Sequence, residues 1–209
     1  FASPWDEKSL DFLVQLNVPL MKIPSVEIKN YKLLEKYSKC NIPLILSTGT
    51  ANQEEVDVAF NLLKKNTDKI ILLQCTSSYP NKFNEIDLKV MGTSKKRYNC
   101  IVGFSGHEPG VNVAVAAVAL GAKVIEKHVT LNKKMNGTDH LASIDMQELK
   151  EMIDAIRQVE LAVGSETKTK YKSEDVLISI LGKSLVTKKP LKAGSILKKE
   201  DLTAKGPST

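Results

Sequence analysis

Short apolar runs alternate along this chain with longer stretches in which apolar residues return every three or four positions. The runs at 19–23, 43–46, 70–73, 100–104 and 124–125 are rich in Ile, Leu and Val and too short for helices, which predicts strands. The stretches between them are amphipathic. Leu10, Leu13 and Leu16 mark a helix over 8–16, and Leu33, Leu34 and Tyr37 one over 31–40. Asn52 and Glu55 form a capping-box pair ahead of a helix whose core face is Val56, Ala59, Phe60 and Leu63. A weaker helix covers 86–95, and a small-residue helix covers 111–120 and stops at Gly121. A long helix covers 146–163, with Leu149, Ile153 and Ile156 at helical spacing and Gly164 as its stop. Residues 1–4 read as the end of another strand. Strands thus alternate with helices every two dozen residues or so, the rhythm of parallel βα units.

Each strand ends in polar, chemically capable residues. The strand at 19–23 carries Lys22 and is followed by Ser25; the next gives Ser47, then come Gln74 to Tyr79, then Ser105 and His107, then Glu126 and His128. In (β/α) folds the carboxyl edge of the sheet holds the active site, which accounts for polar strand ends this regular. Serine and glycine after one strand are ordinary turn chemistry; lysine, glutamate and histidine after strand upon strand are not. His107 and His128 occupy equivalent places on consecutive strands, which points to a shared metal. Five strands cannot close an eight-stranded barrel, so either the barrel is incomplete here or the sheet is open.

Beyond the last strand, residues 132–143 form a loop holding Asp139 and His140. Residues 165–180 read as a polar linker. Something new starts at 181, and 190–197 reads as strand, tight turn and strand, with a further turn at Glu200 to Leu202. The piece 181–209 is too short to be an independent domain. Gly182-Lys183-Ser184 resembles the end of a P-loop but lacks its upstream glycine and its strand–helix setting, and is rejected as one.

Composition narrows the function classes. The net charge of +6 is spread along the helices, and only 5% of the 209 residues are aromatic. Stacking platforms for nucleic acid are therefore scarce, and the basic balance suits anionic small substrates. Cys40, Cys75 and Cys100 are odd in number and lack CxxC spacing, which predicts free thiols and a cytoplasmic protein. No run approaches the ~20 apolar residues of a membrane span. Lys22 with Ser25, Ser47 and Ser105 is the kind of group that holds phosphate. Glu27, Glu126 and Asp139 fall on the same face, where one could orient a substrate hydroxyl or support a ligating histidine. Glu108 reads equally well as solvent-facing.

At these residues the chain resembles the sialic acid synthase family. The matching stretches are Lys22-Ile23-Pro24-Ser25, Leu46-Ser47-Thr48-Gly49, Gln74 to Pro80, Gly103 to Glu108, Ala119 to His128 and Gly137 to His140. Leu181 to Ser184, with Ala193 to Leu197, looks like the start of that family's antifreeze-like (SAF) domain. The resemblance implies an α/β fold of the eight-stranded TIM-barrel type over 1–164, here lacking its first strands, then the linker and a partial SAF domain over 181–209. It implies condensation of phosphoenolpyruvate with N-acetylmannosamine or its 6-phosphate, giving N-acetylneuraminate or its 9-phosphate with release of phosphate by C–O cleavage.

The family's metal ligands fall on His107 and His128, and its metal is manganese or magnesium. Its phosphoenolpyruvate contacts fall on Ser3, Lys22, Ser25, Ser47 and Ser105. Its sugar contacts fall on Glu27, Ser77, Tyr79 and Asp139, and Glu27 and Glu126 match its catalytic carboxylates. A homodimer with a swapped antifreeze-like domain is implied, and neither nucleic acid nor membrane is. Pro24 and Val26 stand where many members carry small residues. The missing strands and C-terminal portion carry further active-site groups, so residues 1–209 alone are expected to show little or no synthase activity. Pseudaminic, legionaminic and spore-coat synthases share the strand-end motifs. A non-catalytic carbohydrate-binding or assembly protein is the alternative from another class.

Overall fold

Five parallel strands of the computed structural model, which describes residues 1–206, lie side by side in the order in which the chain makes them. They are β1 (Met21–Ile23), β2 (Leu44–Ser47), β3 (Ile70–Cys75), β4 (Ile101–Gly106) and β5 (Ile125–Lys127). The helices are α1 (Glu7–Gln15), α2 (Tyr31–Ser38), α3 (Gln53–Lys64), α4 (Val90–Tyr98), α5 (Asn112–Ala119) and α6 (Met146–Val163). A parallel order that never reverses, joined by right-handed crossovers, keeps the helices on one face of the sheet. The core shows this. Leu33, Leu34, Tyr37, Val56, Ala59, Phe60 and Leu63 pack on Met21, Ile23, Leu44, Leu46, Ile70 and Leu72.

The period of two along each strand sends the alternate residues to the other face. Lys22, Ser47, Cys75, Ser105 and Glu126 belong to that face. It is concave. In a flat sheet β1 and β5 would be ~19 Å apart, four spacings of about 4.8 Å; yet Lys22 Nζ lies 3.4 Å from Glu126 Oε1. The five strands therefore form half a barrel. Gly103 permits the curl at its centre: a Cβ there would strike the Val124 carbonyl and come within 2.6 Å of Leu73 Cδ2.

Local chemistry fixes the helix ends. Asn52 accepts from the Glu55 N–H at 3.0 Å and Glu55 accepts from the Asn52 N–H at 2.9 Å, the capping box expected from the sequence. Asp145 and Glu148 build a second one ahead of α6. The helix expected from 86 starts at Val90 instead, because Asp87 adopts a left-handed φ of 51° and the Ile86 carbonyl is taken by the Gln74 side chain at 2.9 Å. On α6 the buried residue is Met152, and Ile153 is 45% exposed.

The chain packs as two units, Phe1–Gly164 and Ser165–Thr209. In the second, the stretch read as linker to 180 holds a helix, α7 (Asp175–Leu181), with Glu174 and Asp175 favouring its start. Residues 190–197 form no strands. The turn is there, with Gly194 at φ 83°, but the strands are β6 (Ser184–Thr187) and β7 (Leu202–Lys205), paired antiparallel from Ser184↔Lys205 to Thr187↔Leu202. The last three residues of the expected SAF segment, 207–209, lie outside the described residues. No helix among the described residues is long and apolar enough to cross a membrane.

Candidate active site

The concave face opens at the carboxyl ends of the strands into a cavity of about 530 Å³. Each strand delivers its polar residue there. Ala2 bridges Met21 as an isolated parallel step, and its carbonyl accepts from the Lys22 N–H at 3.0 Å, which brings Ser3 beside β1. Lys22 comes from β1, and Ser25 from the short 3-10 turn that follows Pro24. Ser47 closes β2 and Cys75 closes β3, with Ser77 and Tyr79 just beyond. Ser105 and His107 come from the end of β4, Glu126 and His128 from β5, and Asp139 from the loop after it. Of the residues given a metal, substrate or catalytic role from the resemblance, all but Glu27 line this one cavity. Glu27 lies outside the lining and accepts from the Asn30 side chain at 2.7 Å.

Polar groups are densely paired on the β1, β4 and β5 side. Lys22 is 6% exposed and faces the Glu126 carboxylate, which also accepts from Ser105 Oγ at 2.7 Å. An ammonium this buried needs such a partner. Ser25 Oγ accepts from the Gly49 N–H at 3.0 Å and donates to Cys75 Sγ at 3.4 Å. Gly49 cannot be larger: a Cβ there would lie 2.7 Å from Ser25 Oγ and closer still to Ser77 Oγ. Ser47 Oγ is buried with no hydrogen-bond partner, as a hydroxyl kept for a ligand would be.

The two imidazoles stand 5.3 Å apart, centroid to centroid, with the Tyr79 ring 4.1 Å from His107 and 5.6 Å from His128. His107 Nδ1 lies 2.8 Å from the Thr76 carbonyl. A carbonyl only accepts, so Nδ1 carries a proton and Nε2 is the nitrogen left for a ligand. Burial pushes His107 down, but the neighbouring Cys75 and the Thr76 carbonyl outweigh this and leave it raised. Burial and the neighbouring His107 hold His128 below its ordinary value. Burial pushes the Cys75 thiol up, and the neighbouring His107 and the Ser25 hydroxyl more than reverse it.

A metal bound ~2.1 Å from a ring nitrogen sits ~3.2 Å from that ring's centroid. Centroids 5.3 Å apart lie within the ~6.4 Å that one shared ion allows. Among the described residues no group of three or more His, Cys, Asp and Glu side chains is arranged to hold a metal. An ion here would draw its remaining ligands from water and substrate. Asp139 Oδ2 lies 4.0 Å from His128 Nδ1, beyond hydrogen-bond distance.

Some of the site was not visible in the sequence. Trp5 and Thr50 also line the cavity, with nothing in their sequence context to mark them. Cys75 follows an apolar strand and is as easily read as core. Glu108 is fully buried, against the open reading that left it in solvent.

A singly wound α/β half-barrel with a lysine, hydroxyls and paired imidazoles at its carboxyl edge presents its polar groups where (β/α) barrels carry their active sites. Residues 1–168 match the NeuB family, and the chain belongs to it. It is 47% identical to the N,N'-diacetyllegionaminic acid synthase of Campylobacter jejuni over 99% of its own length and 63% of that relative's. It is 40% identical to the human N-acetylneuraminate-9-phosphate synthase over 98% of its length and 57% of the human chain's. Both relatives are thus about three-fifths covered. Among solved structures, the N-acetylneuraminic acid synthetase of Leptospira borgpetersenii superposes with a TM-score of 0.79 at 34% identity, covering 85% of this chain and 62% of that one.

Proposed function

We propose that the protein condenses phosphoenolpyruvate with an N-acylated aminosugar to a sugar acid and releases phosphate. The observation that carries this reading is the meeting of Lys22, Ser47 and Ser105 with His107 and His128 in one cavity. The first three suit a phosphate and a carboxylate, and the imidazoles suit an electrophile beside them. Membership of a family whose named relatives are sugar-acid synthases supports it.

Lys22 and the hydroxyls of Ser3, Ser25, Ser47 and Ser105 hold phosphoenolpyruvate. Ser77, Tyr79 and Asp139 hold the aminosugar, with its aldehyde towards the imidazoles. A divalent ion on His107 and His128, manganese or magnesium, would supply Lewis-acid polarisation of the aldehyde oxygen. Carbon 3 of phosphoenolpyruvate forms the new bond to the aldehyde carbon, whose oxygen takes up a proton. Carbon 2, left electron-poor, is captured by water; Glu126 takes the proton that water loses. The bond from carbon 2 to its bridging oxygen then breaks, phosphate leaves with that oxygen and takes the proton of the carbon 2 hydroxyl, and carbon 2 becomes a ketone. Positioning supplies most of the acceleration, since holding two reactants in contact replaces a bimolecular encounter.

The 47% identity to a diacetyllegionaminic acid synthase supports a second reading for the sugar, a legionaminic rather than a neuraminic product. Product masses decide. The protein expressed from its complete gene is given phosphoenolpyruvate, manganese and a panel of free and phosphorylated N-acylated aminosugars. A sugar acid formed from one of them supports the proposal. No product from any of them, with phosphoenolpyruvate unconsumed, contradicts it.

A further inference from the structure

Directly behind the two imidazoles, on the helix side of the sheet, lies a second pair of charges. Lys127 sits in β5 between Glu126 and His128, so strand alternation turns it away from the cavity; Glu108 follows His107 past the end of β4 and meets it there. Their side chains are 2% and 0% exposed. Lys127 Nζ donates to Glu108 Oε1 at 2.9 Å and also to the Glu108 backbone carbonyl. The β4–β5 ladder ends at Gly106↔Lys127. From that last pair the Lys127 ammonium reaches two residues past Gly106 and grasps both main chain and side chain of Glu108.

The neighbourhood is shaped for this clasp. A Cβ on Gly106 would lie 2.5 Å from Glu108 Oε2 and 2.6 Å from the Phe104 ring, so only glycine leaves room for the carboxylate. Glu108 Oε2 itself has no hydrogen-bond partner. As a source of stability the arrangement is poor: apolar residues of similar volume are often as good as a buried ion pair or better. What the pair does achieve is geometric. It joins the residue after one histidine to the residue before the other, where the backbone ladder ends.

We propose that Glu108 and Lys127 are positioning residues that fix the separation of His107 and His128, and with it the fit of one metal ion between them. This rests on the reading of those histidines as a shared metal site. The test is manganese affinity, measured by calorimetric titration on the full chain without substrates, for the parent, His107→Ala, Glu108→Asp, and the double variant Glu108→Met with Lys127→Met. Thermal melts run alongside.

The parent should bind one ion and His107→Ala should not. The double variant should melt no lower than the parent within a few degrees, yet bind manganese roughly 10- to 100-fold more weakly, the loss typical when an outer partner of a metal ligand is removed. Glu108→Asp keeps the charge but withdraws the carboxylate by one methylene, and should also bind more weakly. If the double variant does not fold, this second variant decides. Parental affinity in either folded variant overturns the proposal while leaving the metal site intact. A parent that binds no ion, or a His107→Ala that binds as well as the parent, overturns the metal site and the proposal with it.

Discussion

Lys22 and Glu126 face each other at 3.4 Å across the concave face, one from the first strand of the sheet and the other from the last. The pair exists only because the sheet curls. It holds the buried Lys22 ammonium between the Glu126 carboxylate and the Ile23 carbonyl, 3.5 Å away, with Ser47 and Ser105 lining the same cavity. An entering anion meets a positive charge already held in place and need not order it.

Replacing Lys22 by alanine should therefore weaken phosphoenolpyruvate binding by about 10- to 100-fold, the 1.5–3 kcal/mol usual for a hydrogen bond to a charged group. The Michaelis constant for the aminosugar should change far less. Asp139→Asn should show the reverse preference. Titration calorimetry with phosphoenolpyruvate and steady-state kinetics for both substrates check the contrast; equal effects on the two substrates would contradict it.

Ser47 separates a ligand-binding hydroxyl from a structural one. Its Oγ is buried and unpaired, so Ser47→Ala removes a polar group that folding leaves unsatisfied. The melting temperature should hold or rise, by no more than about 1–3 kcal/mol of stability. Phosphoenolpyruvate affinity should fall in the same variant. A drop in stability without a change in affinity would assign the hydroxyl to the fold instead.

Much of the fold was legible because parallel strands buried on both faces are apolar runs, and the helices between them carry one apolar stripe. The cavity lining was legible for the same reason: a lysine or histidine that ends such a run has the sheet edge as its natural place. Glu27 was not. It follows Ser25 within a 3-10 turn, where the period of two no longer tells which way a side chain goes. The sequence left Glu108 open because a buried carboxylate depends on its partner, and Lys127 lies 19 residues away. The late start of α4 turns on the left-handed Asp87, which no periodicity shows. In the second unit the Gly194 turn was readable, but β6 and β7 pair across it from outside the stretch that looked strand-like.

The curl itself can be tested at Gly103. A methyl group there meets the Val124 carbonyl and Leu73, so Gly103→Ala should lose about 1–3 kcal/mol by overpacking. Denaturant unfolding measures this. Unchanged stability would show that β4 and its neighbours can separate without cost.

Acid should loosen the contact between α3 and α4. Arg97 and Tyr98 hydrogen-bond the Asp57 carboxylate and hold it at about 2, below the ~3.9 of a free aspartate. A depressed carboxylate gives stability that is present above about pH 4 and lost as pH falls towards 2. Asp57 and Arg97 are 24% and 50% exposed, so solvent limits the effect to about 1 kcal/mol or less. Asp57→Asn should lower stability slightly at neutral pH and flatten the fall between pH 4 and 2, as read from melts across that range. A variant that loses as much stability in that range as the parent would place the acid sensitivity elsewhere.

Phosphoenolpyruvate carrying oxygen-18 at its bridging oxygen puts the condensation to the test. Incubated with the protein expressed from its complete gene, manganese and the accepted aminosugar, the account predicts one phosphate released per sugar acid formed, with the heavy oxygen in the phosphate. Heavy oxygen retained in the sugar acid would contradict the proposed C–O cleavage. Phosphate released at the same rate without any aminosugar would contradict the condensation itself.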